Sequence, residues 1–159
     1  MNRVIQIICL FGVCSLASCS IEKQLTDTAS LETSVSLQKT PCYGDCPVYT
    51  FQALNNGRAT LSVGRMSHSR FGLELKEGDY EGVINLGELE EIVEYAKTIG
   101  YFDLAPEYDD KKVMDLPASI SLIEDHRVFN RFEGPNLEPL YNLIEDKISK
   151  VQWHPISEN

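Results

Sequence analysis

The run VYTFQALNNGRATLSV, residues 48–63, alternates apolar and polar side chains on both sides of Asn55-Asn56-Gly57. Successive side chains of a strand point to opposite faces, so loop length decides whether the two apolar sets meet. A two-residue loop would set Phe51 against Ser62. A three-residue loop pairs Tyr49 with Val63, Phe51 with Leu61 and Ala53 with Ala59, keeping one face apolar throughout. The three-residue loop is therefore expected, with Gly57 in the left-handed conformation. A hairpin of this kind commits the chain to an antiparallel sheet with one buried face.

The flanking segments extend that sheet. Val35 and Leu37 alternate with Ser34, Ser36 and Gln38 and predict a first strand. Phe71, Leu73 and Leu75 alternate again, and KEGDYEGVI adds a turn and a short extended segment ending near Ile84. The period then changes: Leu89, Ile92, Val93, Ala96 and Ile99 share one helical face, with Asn85 and Glu88 spaced as a capping box and Gly100 as the stop. YFDLAPEYDDKKVMDLP reads as a connection, and ASISLIEDHRVFNRF as a second hairpin turning between Glu124 and Arg127. Asn136 is placed to cap a last helix whose stripe is Leu140, Ile144, Ile148 and Val151. The order of strands, helix, strands, helix predicts an α+β fold. Its antiparallel sheet is built from hairpins, and two helices pack on one face in a two-layer sandwich.

The chain opens MNRVIQIICLFGVCSLASCS, one positive charge at Arg3 followed by an apolar run from Val4 to Leu16. That run is shorter than the roughly 20 residues needed to span a bilayer, so an export leader is expected. Leu16-Ala17-Ser18-Cys19 resembles a bacterial lipobox. By that resemblance residues 1–18 are a signal peptide, and Cys19 is acylated, with chains such as palmitate, to become the mature N-terminus. Two or more acyl chains hold a protein on a membrane at roughly 0.8 kcal/mol per buried methylene. Ser20 stands where an aspartate would retain a lipoprotein at the inner membrane, which favours the outer membrane. Removing the leader takes the formal net charge from -10 to -11. So acidic a chain repels nucleic acid, leaving the membrane, through Cys19, and an envelope protein as expected partners. Residues 19–33 read as a lipidated flexible tether of roughly 20 Å reach, and residues 34–155 as a single α+β domain.

Of five cysteines, Cys9 and Cys14 leave with the leader and Cys19 is acylated. Cys42 and Cys46 are then the only thiols in an oxidising compartment, which points to a structural disulfide. Gly44 would let the turn close tightly, and Pro47 would suit the first position of the following strand. Two other chemistries compete for CYGDCP. CxxxCP is similar to the copper-binding motif of the Sco family, but that motif precedes a helix, whereas a strand is expected here. A redox couple of thioredoxin type uses two intervening residues and a helix N-terminus. The stretches LQKTPCYGDCPVYTF, AKTIGYFDL and DLPASISL together resemble a family of bacterial envelope lipoproteins catalogued as a domain of unknown function. The resemblance implies one domain, export and a paired-cysteine motif; it brings no catalytic or binding residue.

Nucleophile-elbow, phosphate-loop, dinucleotide and zinc-protease patterns are missing from the sequence, so no catalytic residue is assigned and no enzyme, cofactor or metal is expected. His68, His126 and His154 are scattered beside turn or tail residues and read as solvated surface groups. Asp103, Glu107, Asp109, Asp110 and Asp115 lack the spacing of a calcium loop and read as a solvated connection, with Asp115 suited to accept backbone hydrogen bonds at the start of a strand. The function expected is a lipid-anchored, non-enzymatic binding or interaction module. The alternatives are a copper-binding or thiol-redox protein using Cys42 and Cys46, and an acidic inhibitor of a secreted hydrolase.

Overall fold

Alternation around the Asn-Asn-Gly loop sets the register that the chain adopts. The structure is a computed structural model describing residues 30–65, 67 and 71–157. The leader with Cys9, Cys14 and Cys19, most of the tether, and His68 lie outside the described residues.

Strands β1 (Thr33–Lys39), β2 (Tyr49–Leu54) and β3 (Arg58–Val63) form the centre of the sheet. β2 and β3 pair antiparallel, with Tyr49 opposite Val63, Phe51 opposite Leu61 and Ala53 opposite Ala59, as the three-residue loop requires. Gly57 closes that loop at φ 84°, and its N–H donates to the Leu54 carbonyl. A side chain is excluded there twice over, because an added Cβ would also lie 2.7 Å from the Ile84 carbonyl oxygen. β4 (Gly78–Val83) pairs with β3. On the other side β1 meets β6 (Ser119–Ile123), which turns through Glu124 and Asp125 into β7 (His126–Asn130), the second expected hairpin. Two-residue strands, β5 (Glu107–Tyr108) and β8 (His154–Pro155), end the sheet, whose order is β5-β7-β6-β1-β2-β3-β4-β8.

The sheet departs from hairpin-only antiparallel pairing at three places, one of them the β4–β8 edge, where Glu81 meets His154. β1 and β6 are joined through pairs such as Leu37 with Ser121, across most of the domain sequence. β5 pairs parallel with β7, making the sheet mixed. A parallel neighbour needs a connection long enough to cross the strand between, and residues 109–118 supply it. Both short strands lie where the sequence carries no alternation of useful length. Phe71, Leu73 and Leu75 are not a strand. Gly72 at φ 67° breaks the extended run, while Phe71 is buried edge-on against Tyr49 at 4.9 Å between ring centroids. Their period of two reflects contact with the core, without a ladder.

Helix α1 (Leu86–Thr98) starts at Asn85, whose side chain accepts from the Gly87 N–H at 2.8 Å. Glu88, expected to complete a capping box, lies 4.0 Å from Lys150 on the second helix. Leu89, Ile92, Val93 and Ala96 are buried, whereas Ile99, at the C-cap, is exposed. A 3-10 turn at Tyr101–Asp103 follows. Helix α2 (Glu138–Lys150) buries Leu140, Ile144 and Ile148 completely, with Val151 continuing the stripe. The Asn136 side chain accepts from the Glu138 N–H at 3.1 Å, one residue ahead of the geometric cap Leu137. Inward residues of the strands and the stripes of both helices belong to one hydrophobic cluster, each large side chain contributing about 1.5–3 kcal/mol on burial. The architecture is α+β, and no helix among the described residues is long and apolar enough to cross a membrane.

Candidate functional site

The two cysteines meet where the chain passes from β1 to β2. Cys42 and Cys46 are bridged, with their Cα atoms 5.7 Å apart. Both ends of the bridged turn are pinned. Before it, the Thr40 N–H donates to the Ala118 carbonyl and the Thr40 hydroxyl accepts from the Ala118 N–H at 2.7 Å. Within it, the Arg65 guanidinium donates to the Cys42 carbonyl at 2.9 Å. After it, Val48 exchanges backbone hydrogen bonds with Arg65 and Gly64, prolonging the β2–β3 ladder. The tip is left in water, where Tyr43 is 95 % exposed. Gly44 is not what lets the turn close. It has an ordinary φ, and an added Cβ would sit 3.8 Å from the Cys42 Sγ, a normal contact. Pro47 precedes β2 by two residues and is not its first position.

Beside the turn, at the same end of the sheet, lies a cavity of about 450 Å³. Cys46 and Pro47 form one wall. The start of β6, the end of β7 and the approach to α2 supply the rest. Lys39 enters it from the end of β1. Val35, Leu37 and Lys39 share a strand face, so the alternation that buries the two aliphatic residues also turns the lysine inward. Its side chain is only 11 % exposed, and a buried ammonium must be paired. The Nζ lies 2.8 Å from the Ser119 hydroxyl, 3.5 Å from a Glu138 carboxylate oxygen and 4.1 Å from the centre of the Tyr141 ring. Arg131, also lining the cavity, grips Asp109 through two N–H groups, one at 2.9 Å.

Tyr141 is buried, and its hydroxyl has no hydrogen-bond partner among the described residues. Ser121 and Asn130 are its polar neighbours, and each is engaged elsewhere: Ser121 with the Tyr101 hydroxyl at 2.8 Å, Asn130 with the Pro135 carbonyl at 2.9 Å. Burial raises the Tyr141 pKa, so the group is a neutral hydroxyl near pH 7. Burial likewise pushes Tyr101 up to about 12.

Other residues singled out from sequence are dispersed. His126 is not a solvated group: its ring is half-buried edge-on against Tyr101 at 5.4 Å, with Nε2 3.1 Å from the Leu104 carbonyl oxygen. His154 is exposed in β8. In the acidic connection, Asp109 is taken by Arg131, Asp110 accepts from the Lys112 N–H, and Glu107 lies in β5. Among the described residues no group of three or more His, Cys, Asp or Glu side chains is arranged to hold a metal ion. Lys39, Arg131 and Tyr141 were not singled out from sequence. Only Lys39 carried a signal, its place in the inward alternation.

These features define an α+β domain with a bridged, exposed turn beside a lined cavity. Residues 33–146 match a protein family described as Domain of unknown function (DUF6438), and the chain belongs to that family. No curated protein and no solved structure matches the chain.

Proposed function

We propose that this chain is a lipid-anchored, non-enzymatic binding module of the bacterial cell envelope, and that the bridged end of its sheet meets the partner. The observation that carries the reading is Tyr43, an aromatic ring 95 % exposed on a turn tied down at both ends. Tyrosine is enriched among the residues that dominate interfaces, and a turn already fixed loses little freedom on docking. Acylation at Cys19, after removal of residues 1–18, would place the domain on the outer membrane with the tether between. Paired Cys42 and Cys46 serve this reading as a staple. We also read the fold as a two-layer sandwich with both helices on one face. Its support is the single shared core, against the exposed Gln38, Gln52, Thr60, Ser62 and Glu81 on the opposite face.

The test is capture and crosslinking from envelope extracts with the mature protein and its Tyr43→Ala variant. Loss of a specific crosslinked partner in the variant, at unchanged melting temperature, is the expected result. Undiminished crosslinking would refute the role of the turn. A copper titration of the reduced protein separates this reading from a thiol-based one. Nanomolar binding lost on Cys42→Ser would turn the pair from a staple into a site.

A further inference from the structure

We propose that the groove between α1 and α2 is a docking surface for a basic amphipathic helix of a partner protein, separate from the bridged turn. The two helices lie side by side and antiparallel: Glu88 approaches Lys150, while Glu91, about one turn further along α1, meets Lys147, about one turn earlier on α2. Beside that line, Glu91, Glu94, Tyr95 and Thr98 of α1 border a groove of about 640 Å³. Pro139, Asn142, Leu143 and Asp146 of α2 form its other bank. Both sets have the spacing i, i+3, i+4, i+7, so each is one continuous helical stripe, about 10 Å long at roughly 1.5 Å per residue. An open channel two turns long between paired helices has the shape that a third helix fills, through anchors of the same spacing.

The groove has an apolar floor and an acidic rim. Tyr95 and Leu143 are half-buried, each packed against the hydrophobic core, and Pro139 brings a ring with no N–H to satisfy. The rim is water-facing: the side chains of Glu91, Glu94 and Asp146 are between 52 % and 61 % exposed. Each of these carboxylates already meets a lysine, Glu91 with Lys147, Glu94 with Lys97 and Asp146 with Lys150, but the three lysines lie outside the lining. A carboxylate has two oxygens and accepts from several donors, so an incoming ammonium or guanidinium adds to these pairs without displacing them. Together the two helices carry seven carboxylates against three lysines, in a chain of net charge -10. That charge selects the occupant. A second copy would bring the same acidic face, and an anionic lipid surface would be repelled. A helix with Lys or Arg flanking a stripe of Leu or aromatic residues complements floor and rim together.

The probe is an amidated peptide of leucine and lysine alone, about 14 residues or four turns long, ordered so that the leucines form one helical stripe. Its controls are the same peptide with every lysine replaced by glutamate, and a peptide of equal composition whose order breaks the stripe. Calorimetry and amide chemical shifts on the mature protein should show binding at about 1–100 μM, with the shifts centred on residues 91–98 of α1 and 139–146 of α2. Glu94→Gln/Asp146→Asn should weaken binding about fivefold, while the charge-matched Glu74→Gln/Glu77→Gln, on exposed residues outside the groove, should change it by less than about twofold. Glu91 is left intact because it holds the nearly buried Lys147. Leu143→Gln should cost about tenfold or more. Should that variant fold poorly, the Glu94/Asp146 pair carries the test, both side chains being more than half exposed. Tyr43→Ala should bind the peptide as the unaltered protein does, so a failed turn and a failed groove give different results. Equal binding of either control peptide, shifts outside the two helices, equal losses in both double variants, or no shift at millimolar peptide would overturn the proposal. So would self-association of the protein alone, or binding of the unacylated protein to anionic phospholipid vesicles, that shifted these same residues, since either assigns the groove to another occupant.

Discussion

Two buried tyrosines make opposite predictions. The Tyr141 hydroxyl has no partner among the described residues, so Tyr141→Phe removes a polar atom that burial penalises. We expect unchanged stability or a gain of up to about 1 kcal/mol in urea unfolding. Tyr101 is bonded to Ser121, and its pKa is pushed by burial to about 12 from an ordinary 10. Its folded form thus holds the proton more tightly than the unfolded chain. The resulting stability is complete below pH 10 and is lost as pH rises towards 12. It amounts to about 2–3 kcal/mol by linkage. Alkaline unfolding followed by tyrosinate absorbance checks this, and Tyr101→Phe should flatten that pH dependence. Neither tyrosine could be singled out from sequence, because each sits beside a residue of a helical stripe or stop and gains its meaning from strands distant in the chain.

At the scale of elements, what local pattern specifies was legible and what distant pairing specifies was not. The β2–β3 register follows from the side-chain period together with the steric demand at Gly57, both contained in about sixteen residues. Gly57→Val meets a positive φ and a carbonyl at 2.7 Å, and should cost clearly more than the roughly 1 kcal/mol typical of point changes. Gly72→Val provides a control, for Gly72 shares the positive φ but has nothing within 4 Å of an added Cβ, so its loss should be the smaller. Both are read from urea midpoints. β5, β8 and the β1–β6 pairing escaped the sequence because two-residue strands have no period, and a parallel edge depends on where a connection crosses. For the turn between β1 and β2, closing a loop of about five residues contributes roughly 2 kcal/mol in the chain-entropy model. Cys46→Ser, or reduction, should therefore lower the melting temperature by roughly 5 °C or more with the circular dichroism spectrum retained.

For the whole molecule, the anchor and the domain make separable claims. Cys19→Ala should abolish acyl labelling and leave an unprocessed precursor or a released protein, while the purified domain keeps its melting temperature. Unchanged membrane partition would refute the anchor and leave the cavity and turn untouched. The candidate site was legible only in part. The cysteine pair stood out by its spacing, whereas the cavity beside it draws on β1, β6, β7 and α2, which no single stretch of sequence brings together.

The two ends of the sheet have a consequence for crowding. A long open edge offers its unpaired N–H and C=O groups to a neighbouring copy and seeds polymers. Here the edges are Glu107–Tyr108 on one side and His154–Pro155 on the other, each two residues long, and the second carries a proline that has no N–H to donate. A neighbouring copy that met β5 or β8 would find a segment of only two residues to pair with. At those positions one sheet is poorly able to template the next.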